Sequence, residues 1–225
     1  MCDRILVFSS NPGRVAAEIK VDLPHPRNRL DPHFRQLVDN IYARMTQRAE
    51  PKAPSIEGIP GTGIGMPLHH VSSNVLSGLI ETLAGAPYHG HADLPVIASQ
   101  LQLEADEILH LGESLQLLRF AQLSEGDLML TEAGLRFAHL ETDARKKLFA
   151  EHLLAYVPVM GLIRRVLDER PSHTAPAARF RNELEDYMSE DYADETLKTV
   201  VSWGRYAELF AYDEQSETFS LENPG

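Results

Sequence analysis

The chain has 225 residues, 43% of them hydrophobic, which is enough for one large domain or two small ones with a real core. No apolar run approaches the roughly 18 residues of a membrane-spanning helix, and Asp3 and Arg4 interrupt the first apolar patch, so a folded, soluble chain with neither signal peptide nor anchor is expected. Cys2 is the single cysteine, which excludes an internal disulfide and a thiolate zinc cage and fits a reducing cytoplasm.

The formal charge of -12 is unevenly spread. Residues 1 to 66 hold nine Lys/Arg against seven Asp/Glu, net +2, and residues 67 to 225 hold twelve against twenty-six, net -14. Nucleic-acid binding draws most of its affinity from phosphate neutralisation by Lys and Arg, so so acidic a body argues against a general DNA-binding role.

In chain order, Ile5-Leu6-Val7-Phe8, a turn at Asn11-Pro12-Gly13 and alternation through Val15, Ala17, Ile19 and Val21 predict a β-hairpin over residues 1 to 22. After Pro24 and Pro26, Asp31-Pro32 opens a helix to about Arg48, with Phe34, Leu37, Val38, Ile41 and Met45 on one face. Residues 49 to 66 are rich in proline and glycine and read as a linker or ordered loop. Their Gly61-Thr62-Gly63-Ile64-Gly65 lacks the Gly-Lys-Ser/Thr continuation of a phosphate loop.

From Ser72 the pattern turns helical. Ser72 or Ser73 caps a helix with Val75, Leu76, Leu79, Ile80 and Leu83 on its apolar face, ending near Gly85. Asp93 caps a second, with Leu94, Ile97, Ala98 and Leu101, and Glu104 opens a third, with Ile108, Leu111, Leu115 and Leu118. A hairpin follows, turning at Ser124-Glu125-Gly126-Asp127. Helix, helix, helix, hairpin is the order of a winged helix-turn-helix unit. A second copy is expected at an offset of 86, setting Arg205–Leu209 under Arg119–Leu123 and Trp203 under Leu117, with a hairpin turn five residues longer. Ala144 to Leu167 reads as one long helix kinked at Pro158, and Pro176 to Met188 and Ser189 to Trp203 supply two more, giving six main helices after Pro67.

Candidate sites are few. The third helix of the first copy carries Glu104, Asp106, Glu107 and Glu113 and no Lys or Arg; in the second copy Glu190, Asp191, Asp194 and Glu195 face Lys198. Both would repel a phosphate backbone, so the shape reads as reused for protein contacts. His89 and His91, with Asp93 and the upstream His69 and His70, could in principle ligate a metal, although solvated loop histidines explain the spacing more simply. Glu183, Glu185 and Asp186 fit a solvated helix face, and Arg145, Lys146, Lys147, Arg164 and Arg165 either that or a docking site. Trp203, Tyr206, Phe210 and Tyr212 read mainly as core. No catalytic, cofactor-binding or metal-binding residue is assigned, and no cofactor is expected.

The residues Cys2-Asp3-Arg4-Ile5-Leu6-Val7-Phe8-Ser9, Asn11-Pro12-Gly13-Arg14-Val15, Glu18-Ile19 and Val21-Asp22-Leu23-Pro24 resemble the end of the ATPase subunit of nitrate/sulfonate/taurine-type ABC importers. Ser114-Leu115-Gln116-Leu117-Leu118, Leu130-Thr131-Glu132-Ala133-Gly134 and Trp203-Gly204-Arg205-Tyr206-Ala207-Glu208-Leu209-Phe210 resemble the AAA-associated C-terminal domain appended to some of these ATPases. The resemblance implies a remnant of the ATPase domain over 1–48, a linker over 49–66 and the C-terminal domain over 67–225, with winged-helix-like units at about 67–140 and 144–225. The fold class expected is mainly α with small β-hairpins. Phosphate-loop, signature and Walker B motifs are absent, so no ATP hydrolysis is expected of this chain, and a start at an internal methionine of a longer ATPase is favoured over a free-standing tail. The implied role is an accessory, regulatory module of the importer. Its partners would be the ATPase domain and the permease subunits, without nucleic acid, touching the inner membrane from the cytoplasm only through the permease, with a homodimer as a further association. The alternatives are a winged-helix transcription regulator and a small-molecule or metal sensor built on the loop around His89.

Overall fold

Residues 3–10, 13–23, 31–46, 63–66 and 68–221 are described by the computed structural model. Among them the chain is mainly helical, with nine helices and three small antiparallel sheets. The N-terminal hairpin is present as β1 (Arg4–Ser10) and β2 (Gly13–Lys20), Arg4 opposite Lys20, with the register slipping between Val7 and Phe8. Its alternation sorts the two faces: Val7 and Val21 are buried, whereas Leu6 and Val15 are exposed. The turn residues Asn11 and Pro12 lie outside the described residues.

Helix α1 (Pro32–Thr46) begins after Asp31, whose carboxylate accepts from the His33 amide at 2.8 Å. Val38 and, one turn on, Tyr42 carry its contact with the main core; the expected apolar face omitted Tyr42 because its hydroxyl reads as polar. The expected end at Arg48 lies outside the described residues.

The first repeat runs α2 (Ser73–Ala84), β3 (His91–Asp93), α3 (Leu94–Leu101), α4 (Ala105–Leu117), β4 (Ala121–Ser124) and β5 (Asp127–Leu130). The starts follow from local chemistry: Ser72 Oγ accepts from Val75 N, Asp93 Oδ1 from Val96 N, and Glu107 Oε2 from Glu104 N. Leu76, Leu79, Ile80 and Leu83 of α2 are buried as expected, but Val75 is exposed. Two helices join the repeats to each other after α5 (Glu132–His139), an element the sequence reading did not contain: α6 (Thr142–Tyr156) and α7 (Pro158–Glu169). The expected single kinked helix is thus broken outright, because Val157 is extended and Pro158, lacking an N–H, takes the first position of a new helix.

The second repeat runs β6 (Thr174–Pro176), α8 (Ala177–Glu185), α9 (Glu190–Tyr206), β7 (Ala211–Asp213) and β8 (Thr218–Ser220). Its sheet order, β6-β8-β7, is that of the first, β3-β5-β4. Each expected two-stranded hairpin therefore gains a third strand, and eight helices rather than six follow residue 67 among the described residues. Backbone details match in pairs. Gly90 and His173 both have positive φ and accept through their carbonyls from the residue ending or following the last strand, Leu130 and Leu221. Gly126 and Glu217 both have positive φ and accept from the first residue of the second helix, Leu94 and Ala177. Arg119 and Glu208 end the third helices in the same left-handed conformation.

These pairs correct the expected register. The Leu118 amide bonds to the Ser114 carbonyl as the Ala207 amide bonds to that of Trp203, so Trp203 corresponds to Ser114 and not to Leu117. The offset is 85 at the helix caps Glu104 and Ser189 and 89 at their ends, because α9 has 17 residues to the 13 of α4, one extra turn. The hairpin turn is residues 125–126 in one repeat and 214–217 in the other, two residues longer and not five.

One core serves both repeats, and α6 sits at its centre. Phe149 of α6 meets Phe120 and Phe137 on one side and Trp203 and Tyr206 on the other, with ring centroids 5.2 to 6.3 Å apart. Burying such a side chain contributes about 1.5–3 kcal/mol, so the two repeats stabilise each other through this helix.

Candidate functional site

Residues 68–72 form a strap laid along α9, which Ser73, the first residue of α2, continues. Thr196 Oγ1 accepts from Leu68 N at 3.1 Å, Thr199 Oγ1 donates to the His69 carbonyl at 2.7 Å, Ser202 Oγ accepts from Ser73 N at 3.3 Å, and Trp203 Nε1 donates to the Val71 carbonyl at 2.8 Å. Thr196, Thr199 and Trp203 recur every three or four positions and make one stripe of the helix, which Ser202 flanks. Thr196, Thr199 and Trp203 are completely buried. The adjoining stripe, Ala193, Leu197, Val200 and Gly204, is also buried, Gly204 against the ring of Phe210. What α9 leaves to solvent is Glu190, Asp191 and Tyr192 at its start and then a stripe through Glu195, Lys198 and Arg205.

That remaining stripe borders a groove of about 580 Å³ between α8, α9 and the second three-stranded sheet. Arg181, Lys198 and Arg205 face it, and so do Asp194, Glu214 and Glu217. Arg181 is bound to Asp194 at 2.7 Å and Arg205 to Glu214 at 3.2 Å, which leaves no net positive field for a phosphate backbone. Helix α4 is more one-sided: Asp106, Glu107 and Glu113 are exposed on it, with no basic residue.

The strap also carries His69 onto α4. Its imidazole lies parallel to that of His110, 3.7 Å between centroids and 12° between planes, and its Nε2 is 3.5 Å from Glu113 Oε2. Burial holds the His69 pKa below its ordinary value, the neighbouring His110 adding to this and Glu195 opposing it. Burial likewise raises Glu113, against a smaller lowering by His110. Among the described residues, these three are a group of ligand atoms close enough to share a metal ion.

The histidines singled out in the sequence separate. His91 is held by Asp127 across the first three-stranded sheet, Nε2 to Oδ2 2.7 Å, and Asp93 caps α3. His89 sits in the turn before β3 with positive φ, and His70 lines the groove beside α9. Only His69 of that set joins the cluster; its partners are His110, which the sequence does not single out, and Glu113, which reads there only as part of an acidic face. Their spacing of three on a helix was the available signal.

The basic residues between the repeats are largely consumed in tethers. Arg145 pairs with Glu81 of α2, Lys146 with Glu208 at 2.7 Å, and Arg164 with Asp168 and the Leu209 carbonyl. Glu183 pairs with Arg179 on the face of α8 beside the exposed Glu185 and Asp186. Trp203 and Phe210 are core, with Tyr206 and Tyr212 packed against it. In the glycine-rich segment, Gly61 and Thr62 lie outside the described residues, while Gly65 touches Tyr187 so closely that a Cβ would come within 2.6 Å of it.

Among the described residues this is a mainly helical domain with two three-stranded antiparallel sheets of like strand order around one core. Residues 95–213 match the family model of the C-terminal AAA-associated domain, and the chain belongs to that family, which is found in ATP-binding proteins of ABC transporters. No curated protein and no solved structure matches the chain. No helix of the described residues is long and apolar enough to cross a membrane.

Proposed function

We propose that this chain is an accessory and regulatory module of an ABC importer ATPase of the nitrate/sulfonate/taurine type, acting through protein contacts with the ATPase domain and the permease and not itself hydrolysing ATP. Its two repeats are winged-helix-like, each with the strand order of that fold and a third helix that does not read DNA. The observation that carries this reading is the strap: a stripe of α9 is hydrogen-bonded to residues 68–73 of the same chain and is closed to a groove. The acidic exposed face of α4 supports it, as does family membership. The module acts on the cytoplasmic side and reaches the membrane only through the permease. On β1 and β2, the exposed Leu6 and Val15 supply apolar surface for the ATPase domain or a second copy.

The test is reconstitution of a nitrate/sulfonate/taurine-type ABC importer whose ATPase carries this domain, with and without the chain. The chain is expected to bind the assembled transporter and change its ATP turnover, and to show no magnesium-dependent ATP binding alone by calorimetry. Sequence-selective retention of genomic DNA fragments at nanomolar concentration would overturn the reading in favour of a transcription regulator.

A further inference from the structure

His110 and Glu113 are three residues apart on α4 and share a face, and the strap sets His69 on the same spot. One ligand atom from each of the three lies within 4.8 Å of the other two. Donors about 2.0–2.1 Å from a tetrahedral ion stand about 3.3 Å from each other, and His69 Nε2 and Glu113 Oε2 are already 3.5 Å apart. A shared ion must lie in both ring planes, so on binding the half-buried His110 turns out of its stack with His69 while Glu113 adjusts by a side-chain rotation.

We propose that His69, His110 and Glu113 bind one divalent transition-metal ion of the zinc class. Two imidazole nitrogens and one carboxylate are the donor set of Zn²⁺ and Co²⁺, whereas Mg²⁺ and Ca²⁺ take oxygen ligands throughout. Three protein ligands leave a fourth position, which opens to solvent on the exposed side of Glu113. The strap then gains a second attachment. Hydrogen bonds hold it to α9, the ion clamps it to α4, and metal occupancy links the third helices of the two repeats through one short segment. This site is distinct from the loop around His89 and does not depend on which partner the module contacts.

The experiment uses the untagged full chain, stripped with EDTA, titrated with Co²⁺ by visible d–d absorption and with Zn²⁺ by calorimetry. One equivalent is expected, with the metal raising the melting temperature. His110→Ala and Glu113→Gln should each weaken binding by at least the roughly 10- to 100-fold that loss of an outer-shell partner costs. The double variant His89→Ala/His91→Ala should bind as the parent does. Glu113 is exposed, so its variant keeps the fold, as far-ultraviolet circular dichroism will check. Three results overturn the proposal: no saturable binding, binding and thermal stabilisation undiminished in Glu113→Gln, or binding lost with His89 and His91.

Discussion

Helices α4 and α9 hold the same place in two repeats of identical strand order, yet they do different work. The first turns an acidic face to solvent. The second is four residues longer and is covered along two adjoining stripes, one by the core and one by the strap. Thr199 and Trp203 donate to the backbone of the strap, and Thr196 and Ser202 accept from it, so this stripe of the helix becomes a joint. The like strand order supplies the framework, and what each helix contacts is decided by a few side chains on one stripe.

The sharpest way to break this comparison is truncation at its equivalent positions. Trp203→Ala removes a fully buried ring and the bond to the Val71 carbonyl, and should cost about 3–5 kcal/mol. Ser114→Ala, at the corresponding site of α4, loses one bond to the carbonyl of His110 in its own helix and should cost about 1 kcal/mol or less. Urea unfolding of both variants measures the difference; equal losses would mean that the two helices are used alike.

Next in size is Thr196→Val. Its hydroxyl is the acceptor for the Leu68 amide, and the isostere leaves that buried N–H unpaired, at about 1–3 kcal/mol. Amide exchange should show faster opening at Leu68 while α4 is unaffected. Gly204→Ala tests the close approach of α9 to Phe210, because a Cβ would come 2.1 Å from the ring. Overpacking of about 1–3 kcal/mol outweighs the roughly 0.5–1 kcal/mol that alanine gains in a helix, so the variant should lower the melting temperature. Gly112→Ala in α4 meets only the flexible end of Leu123, at 2.9 Å, and should be close to neutral.

The smallest effect is a pH dependence. His69 has its pKa lowered from 6.5 by burial, so the unfolded chain binds the proton more tightly and the contribution of His69 is lost as pH falls from 6.5 through the folded value. Glu113 is raised above 4.5, so its contribution is lost in the opposite direction, as pH rises through its folded value. His69→Gln should therefore flatten the decline of stability on acidification below pH 6.5, measured by chemical unfolding at several pH values in EDTA. An unchanged profile would remove His69 as its source.

Several features were legible in the chain because their causes are local. Ser72, Asp93 and Glu104 open helices by satisfying nearby amides, the β1–β2 alternation needs only its own turn, and the apolar spacing of α3 and α4 marks their buried faces. The repeat was visible too, but three residues out of register, since a slip of nearly one turn returns similar residues to a similar face. Tertiary structure decided what depends on distant partners. Three-residue strands such as β3 and β6 are too short to show a period of two and exist only by pairing with β5 and β8. The strap on α9 joins residues about 130 positions apart, and the meeting of His69 with His110 and Glu113 follows from it. The residue types of that cluster stand in the sequence, but their proximity is a property of packing, since His69 lies 41 residues from His110 along the chain.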